Sequence, residues 1–134
     1  MKDTLAPGLG ASRRIAVDKA RTIDFMGEAL RVYATPELIR DIEHTCRDFL
    51  LDYVDAGEDS VGTRVELDHI GATLLGMSVE IAVRVAAIDG RQVTFEVSAK
   101  DQIEPVARGI HKRFVVGTAQ LQKRLAAKAE KAKV

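Results

Sequence analysis

The stretch ATPELIRDIEHTCRDFLLDYV, residues 34 to 54, decides the architecture. Thr35-Pro36 reads as a helix start, with Thr as N-cap and Pro at the first helical position, where its missing N–H costs nothing. At about 100° per residue, Leu38, Ile39, Ile42, Cys46, Phe49, Leu50 and Tyr53 fall on one continuous apolar arc. Arg40, Asp41, His44, Arg47, Asp48 and Asp52 fall on the other side. The arc covers well over half the circumference, more than a surface helix needs, so most of this helix is expected to be enclosed. Glu43 is the exception: it lands at the edge of the arc, between Leu50 and Val54. A carboxylate beside buried surface is either a rim residue that reaches water or a group placed for chemistry.

The rest of the chain supplies what encloses the helix. Arg14–Val17 reads as a short first strand, and residues 18–33 as a loop with one helical turn. The helix stops near DAGEDS, and strand patterns dominate from there. In Ser60–Ile70 the odd positions Val61, Val65 and Leu67 are apolar and His69 shares their face, while Arg64, Glu66 and Asp68 alternate with them. Met77, Val79, Ile81, Val83 and Val85 repeat the period of two. Asp89-Gly90 signals a tight hairpin, and Val93, Phe95 and Val97 form the return strand. Val106–Val116 gives another strand, with Gly109 marking a bulge or a close approach. A helix rich in Ala, Leu and Lys follows from about residue 118. One strand, one wide apolar helix and a four-strand meander predict an α+β hot-dog fold, an antiparallel sheet wrapped around one long helix. The sheet's edges and far face then favour a homodimer. Residues 1–11, rich in Gly and Pro, are expected to be flexible, and 12–134 to form a single domain.

Bulk properties narrow the function. The chain has 134 residues, 46% of them hydrophobic, so one aliphatic core fits. Twenty basic and twenty acidic residues balance, which argues against a nucleic-acid binder. One cysteine, Cys46, permits no internal disulfide and suits a reducing compartment. The N-terminus has no apolar signal region and no run reaches membrane length, so a cytoplasmic protein without a membrane partner is expected.

Thr35, Glu43 and His69 are the residues with chemical potential, and each also has an ordinary explanation: an N-cap, a rim carboxylate, a satisfied core histidine. No glycine-rich phosphate loop precedes a helix. His44, His69 and His111 lack zinc-ligand spacing, and no metal is expected. The absence of a Gly-x-Ser-x-Gly elbow excludes an α/β-hydrolase. Cys46 sits in the apolar arc and reads as core packing.

Three segments, VYATPELIRDIEHTC, SVGTRVELDHIGATLLGM and GIHKRFVV, resemble the hot-dog thioesterases related to fluoroacetyl-CoA thioesterase. The resemblance runs from about Val32 to Val116. It implies hydrolysis of a small or medium acyl-CoA without a cofactor, with Thr35, Glu43 and His69 as the catalytic Thr, Glu and His. It also implies substrate-binding roles for Gly62, on a strand facing the thioester, and for Arg113, near the mouth of the site. The first turn of the long helix offers partial positive charge for an oxyanion. Glu43 is suited to act as base toward water or to attack directly, and His69 to polarise a partner or carry a proton. Arg113 and the basic stretch KRLAAKAEKAK could hold CoA phosphates, although such a run usually means a solvated helix end. One departure matters: the related enzyme has a phenylalanine-rich lid before the Thr, whereas TIDFMGEALRVYAT offers Phe25 and little else aromatic. Preference for a fluorinated acyl group therefore does not carry over. The alternatives are an acyl-CoA or acyl-carrier binding module without turnover, and a hydratase, whose Asp/His motif is missing.

Overall fold

The computed structural model describes residues 1–134. Its main helix, α1, spans Thr35–Leu51. Strands follow and precede it in the chain order β1 (Gly10–Ala16), β2 (Thr22–Ile23), β3 (Val32–Tyr33), then β4 (Glu58–His69), β5 (Ser78–Asp89), β6 (Gln92–Lys100) and β7 (Pro105–Gly117), with a final helix α2 (Thr118–Ala132). Five strands form one antiparallel sheet in the order β1-β5-β6-β7-β4, and β2 and β3 form a separate two-stranded ribbon. This is the hot-dog layout that the wide apolar helix demands.

The helix is enclosed through a four-residue repeat. Leu38, Ile42, Cys46 and Leu50 are at most 1% exposed and face Val79, Ile81, Val85, Val93 and Phe95 of the sheet, all fully buried. Phe49 meets Phe95 edge to face, with ring centroids 5.8 Å apart. A leucine or isoleucine in such a core typically contributes about 2–5 kcal/mol against truncation to alanine. The hairpin forms at Gly90, which takes the positive φ of 60° that the turn requires. Gly109 marks a close approach: a Cβ there would collide with the Glu66 carbonyl and Leu67 Cα of β4. No helix is long and apolar enough to cross a membrane.

Three local expectations are corrected. Residues 1–11 lie against the domain: Leu5 is buried, Lys2 N–H donates to the Tyr53 carbonyl at 2.8 Å, and Gly8 and Leu9 exchange backbone bonds with Val85. The loop 18–33 holds two single-turn 3-10 helices and the ribbon. In β4 the register against β7 shifts between Gly62 and Arg64, because Thr63 is an extra residue. Val65, Leu67 and His69 pair with His111, Gly109 and Ala107, whereas before the bulge it is Ser60 and Gly62 that pair with the inward-facing Val115 and Arg113. Val61 is thereby turned off the face it was expected to share, and Gly62 is turned onto it.

Candidate active site

Thr35 does not cap its helix. Ala34 is the N-cap residue, in an extended conformation, and no side chain bonds the first-turn amides. The Thr35 hydroxyl instead lies 2.7 Å from His69 Nδ1. His69 is brought there by the end of β4, where Ile70 and Gly71 N–H both donate to the Val106 carbonyl. The other ring nitrogen, Nε2, is buried and has no partner. Burial pulls the His69 pKa below its usual value, so the ring is neutral at pH 7.

Glu43 is held in a second cluster. It lies eight residues beyond Thr35 on the same helix, a rise of roughly 12 Å. Within one chain it therefore meets neither Thr35 nor His69. Its Oε2 is 3.5 Å from Arg113 Nη1, and the carboxylate is 40% exposed. Gly62 lies directly opposite: a Cβ there would stand 3.0 Å from Glu43 Oε2, 3.2 Å from His111 Cε1 and 3.5 Å from Arg113 Nη1. The glycine leaves the room in which the carboxylate sits.

Arg113 is buried beside Glu43. It is 4% exposed, and all three guanidinium nitrogens are engaged. Nε–H donates to Ser60 Oγ at 2.8 Å and Nη2–H to the Ser60 carbonyl at 2.9 Å, while Nη1 faces Glu43 and His111 Nε2, the latter at 3.2 Å. This corrects the expectation that Arg113 holds CoA phosphates. Burial pulls its pKa down, opposed by the facing Glu43. The basic stretch of α2 is a solvated helix with no buried residue, so its ordinary reading holds. Cys46 is fully buried, and burial pushes its thiol up to about 12, as expected of core packing.

Two features escaped the sequence reading. His111 and Arg113 sit two apart on β7, both pointing inward with Val115, and that alternation was the available signal. Asp41, assigned to the polar side of the helix, is 6% exposed. Arg21 grips it in a fork, Nε at 2.9 Å and Nη2 at 3.2 Å, and the Tyr33 hydroxyl donates to the same carboxylate. Arg21 also accepts the Ala34 N–H through its backbone carbonyl. This network ties the ribbon to the first turns of α1 and so fixes where Thr35 stands.

Comparisons with known proteins identify the fold and the family. The family described as "FlK: Fluoroacetyl-CoA-specific thioesterase" matches residues 17–119. A fluoroacetyl-CoA thioesterase of Streptantibioticus cattleyicolor is 27% identical over 123 residues, covering 87% of this chain and 88% of that protein. A point mutant of the fluoroacetyl-CoA-specific thioesterase FlK superposes with a TM-score of 0.87 at 25% identity, over 95% of this chain and 99% of that one. A hot-dog-like protein from Thermanaerovibrio acidaminovorans gives 0.84 at 27% identity, over 91% of each chain. The chain belongs to the fluoroacetyl-CoA-specific thioesterase family and is a hot-dog thioester hydrolase.

Proposed function

We propose that the protein hydrolyses a small or medium acyl-CoA at a site made by Thr35 and His69 of one copy and Glu43 of a second. The observation that carries this is the Thr35–His69 pair: a threonine freed from capping is bonded to a neutral histidine whose other nitrogen is buried and unpartnered. A buried polar atom left open is costly unless something completes it.

The edge of β4 supports a second copy as the completing part. Its outer side is unpaired over twelve residues, since β4 pairs only with β7. Arg64 and Glu66 flank Val65. A two-fold axis through Val65 sets Arg64 opposite the partner's Glu66, a favourable cross-strand pair. Counted past the extra residue Thr63, the same antiparallel pairing lays the partner's Gly62 alongside Leu67 and the partner's Ser60 alongside His69. The partner's Glu43, seated against the partner's Gly62, then approaches His69 Nε2.

In this arrangement the thioester carbonyl lies at the start of α1, where the first-turn amides and the Thr35 hydroxyl stabilise the developing oxyanion. Glu43 takes the proton of the attacking water, or attacks the carbonyl carbon itself to give an anhydride that water then opens. The C–S bond breaks with its electron pair on sulfur. His69, through Nε2, carries a proton between the attacking and leaving groups. No metal or redox partner is called on.

A point mutant of FlK has been solved with fluoroacetate and CoA. Here the segment between β2 and β3 presents Phe25, Met26 and Leu30, all exposed, in place of a phenylalanine-rich lid. That apolar but open rim supports an ordinary short or medium acyl group over a fluorinated one. The test is free-thiol release from acetyl-, fluoroacetyl-, butyryl-, hexanoyl- and phenylacetyl-CoA. Turnover of the unfluorinated short or medium substrates at least as fast as fluoroacetyl-CoA is expected. Binding of these thioesters without thiol release from any of them contradicts the proposal.

A further inference from the structure

We propose that His111 is a positioning residue for Glu43, acting through Arg113; this rests on the reading of Glu43 as the base or nucleophile. His111 is fully buried in β7, on the same inward face as Arg113 and Val115. Both of its ring nitrogens are used, and their partners fix its state. Nδ1 lies 2.8 Å from the Arg64 carbonyl oxygen, which can only accept, so Nδ1 carries the proton. Nε2 is then a lone pair, 3.2 Å from Arg113 Nη1, which can only donate. Burial favours the same neutral ring.

The consequence falls on the guanidinium. Its other edge is bonded only to Ser60, through the side chain and the carbonyl of that one residue. Two bonds to one residue leave the plane free to pivot about that edge. His111 Nε2 is the third point, and it locks the Nη1 end, from which the second N–H reaches Glu43 Oε2. The carbonyl that sets the His111 tautomer belongs to Arg64, the residue directly after the β4 bulge. The bulge that turns Gly62 inward to make room for the carboxylate thus also orients the histidine that aims the arginine at it.

The experiment compares His111→Asn, His111→Gln and Glu43→Gln in the full-length protein. Thiol release, melting temperature and the side-chain 1H–15N spectrum of His111 are measured together. Asn places its amide N–H where Nδ1 was but has no acceptor at the Nε2 position; Gln can place its carbonyl oxygen there. The expected result is a kcat lower by about ten- to a hundredfold in His111→Asn, the scale of a misplaced catalytic group, with KM changed less than about threefold. In His111→Gln, kcat recovers to within about fivefold of wild type. The wild-type spectrum shows the Nδ1-protonated, neutral ring. An Nε2-protonated ring overturns the proposal without any variant. So does equal activity of Asn, Gln and wild type per folded molecule, or parallel loss of stability and activity in both variants. If Glu43→Gln is inactive while His111→Asn is fully active, only this proposal falls. A fully active Glu43→Gln removes the underlying reading with it.

Discussion

Replacing Gly62 by alanine separates the position of the Glu43 carboxylate from the stability of the fold. The added Cβ would stand 3.0 Å from Glu43 Oε2, where ordinary contact begins at 3.4 Å. His111 is held by two hydrogen bonds and Arg113 Nη1 is already at 3.5 Å, so the carboxylate, at the end of a flexible chain, is what gives way. It must retreat by about 0.4 Å, and if a misplacement of 1 Å costs about a hundredfold, this one lowers kcat by roughly sixfold. The backbone has no objection, since Gly62 is not among the residues with positive φ. Alanine there removes freedom from the unfolded chain, worth about 0.4–1 kcal/mol, but its Cβ also stands 3.2 Å from Cε1 of the firmly held His111, so Tm should shift by no more than about 4 °C in either direction. Thiol-release kinetics and thermal melting, measured on the same preparation, check both halves. Valine at 62 extends the clash and should lower kcat further. Full kcat in both variants refutes the reasoning, as does an activity loss that merely follows unfolding.

Other outcomes follow from the same geometry. Thr35→Ala should cost less than about 0.5 kcal/mol in denaturant melts, against about 1 kcal/mol for a true N-cap, while reducing kcat. Because burial lowers the His69 pKa, thiol release should stay level as pH falls through 6.5 and decline only below it; His69→Ala should remove about a hundredfold or more. Asp41→Asn should destabilise by about 2–4 kcal/mol, since Arg21 and Tyr33 lose their shared charge partner. The Tyr33 pKa is raised, by burial first and by Asp41 second. Its contribution to stability is therefore complete below pH of about 10, the unfolded value, and is lost above it; Tyr33→Phe should flatten that alkaline decline.

The helix and the sheet were legible because both depend on periodicity, which the sequence carries openly. Leu38, Ile42, Cys46 and Leu50 form the core stripe, and Val79 to Val85 the facing strand, as their spacing requires. The errors came where one residue changes the geometry of its neighbours. Thr63 carries no mark of a bulge, yet it exchanges Val61 for Gly62 on the inner face. Asp41 looks solvated on a helical wheel, and only the approach of Arg21 from the preceding loop makes it a buried anchor. Thr35 has the right identity and place for an N-cap, and the nearby His69 takes its hydroxyl instead. The site residues could be named through a family resemblance, and the gap between Thr35 and Glu43 follows from eight helical residues; which of the two His69 joins was not legible, because it depends on where the end of β4 lies.

That separation sets the decisive measurement. Thiol release from the best acyl-CoA is recorded for wild type, for Glu43→Gln, for Thr35→Val with His69→Ala, and for an equimolar mixture of the two variants after denaturation and refolding together. The account predicts two nearly inactive variants and a mixture that recovers about a quarter of wild-type activity, since random pairing makes half the dimers mixed and each mixed dimer carries one intact site of two. A mixture as inactive as its components would contradict a site shared between two copies, and active single variants would contradict the assignment of Glu43, Thr35 and His69 altogether.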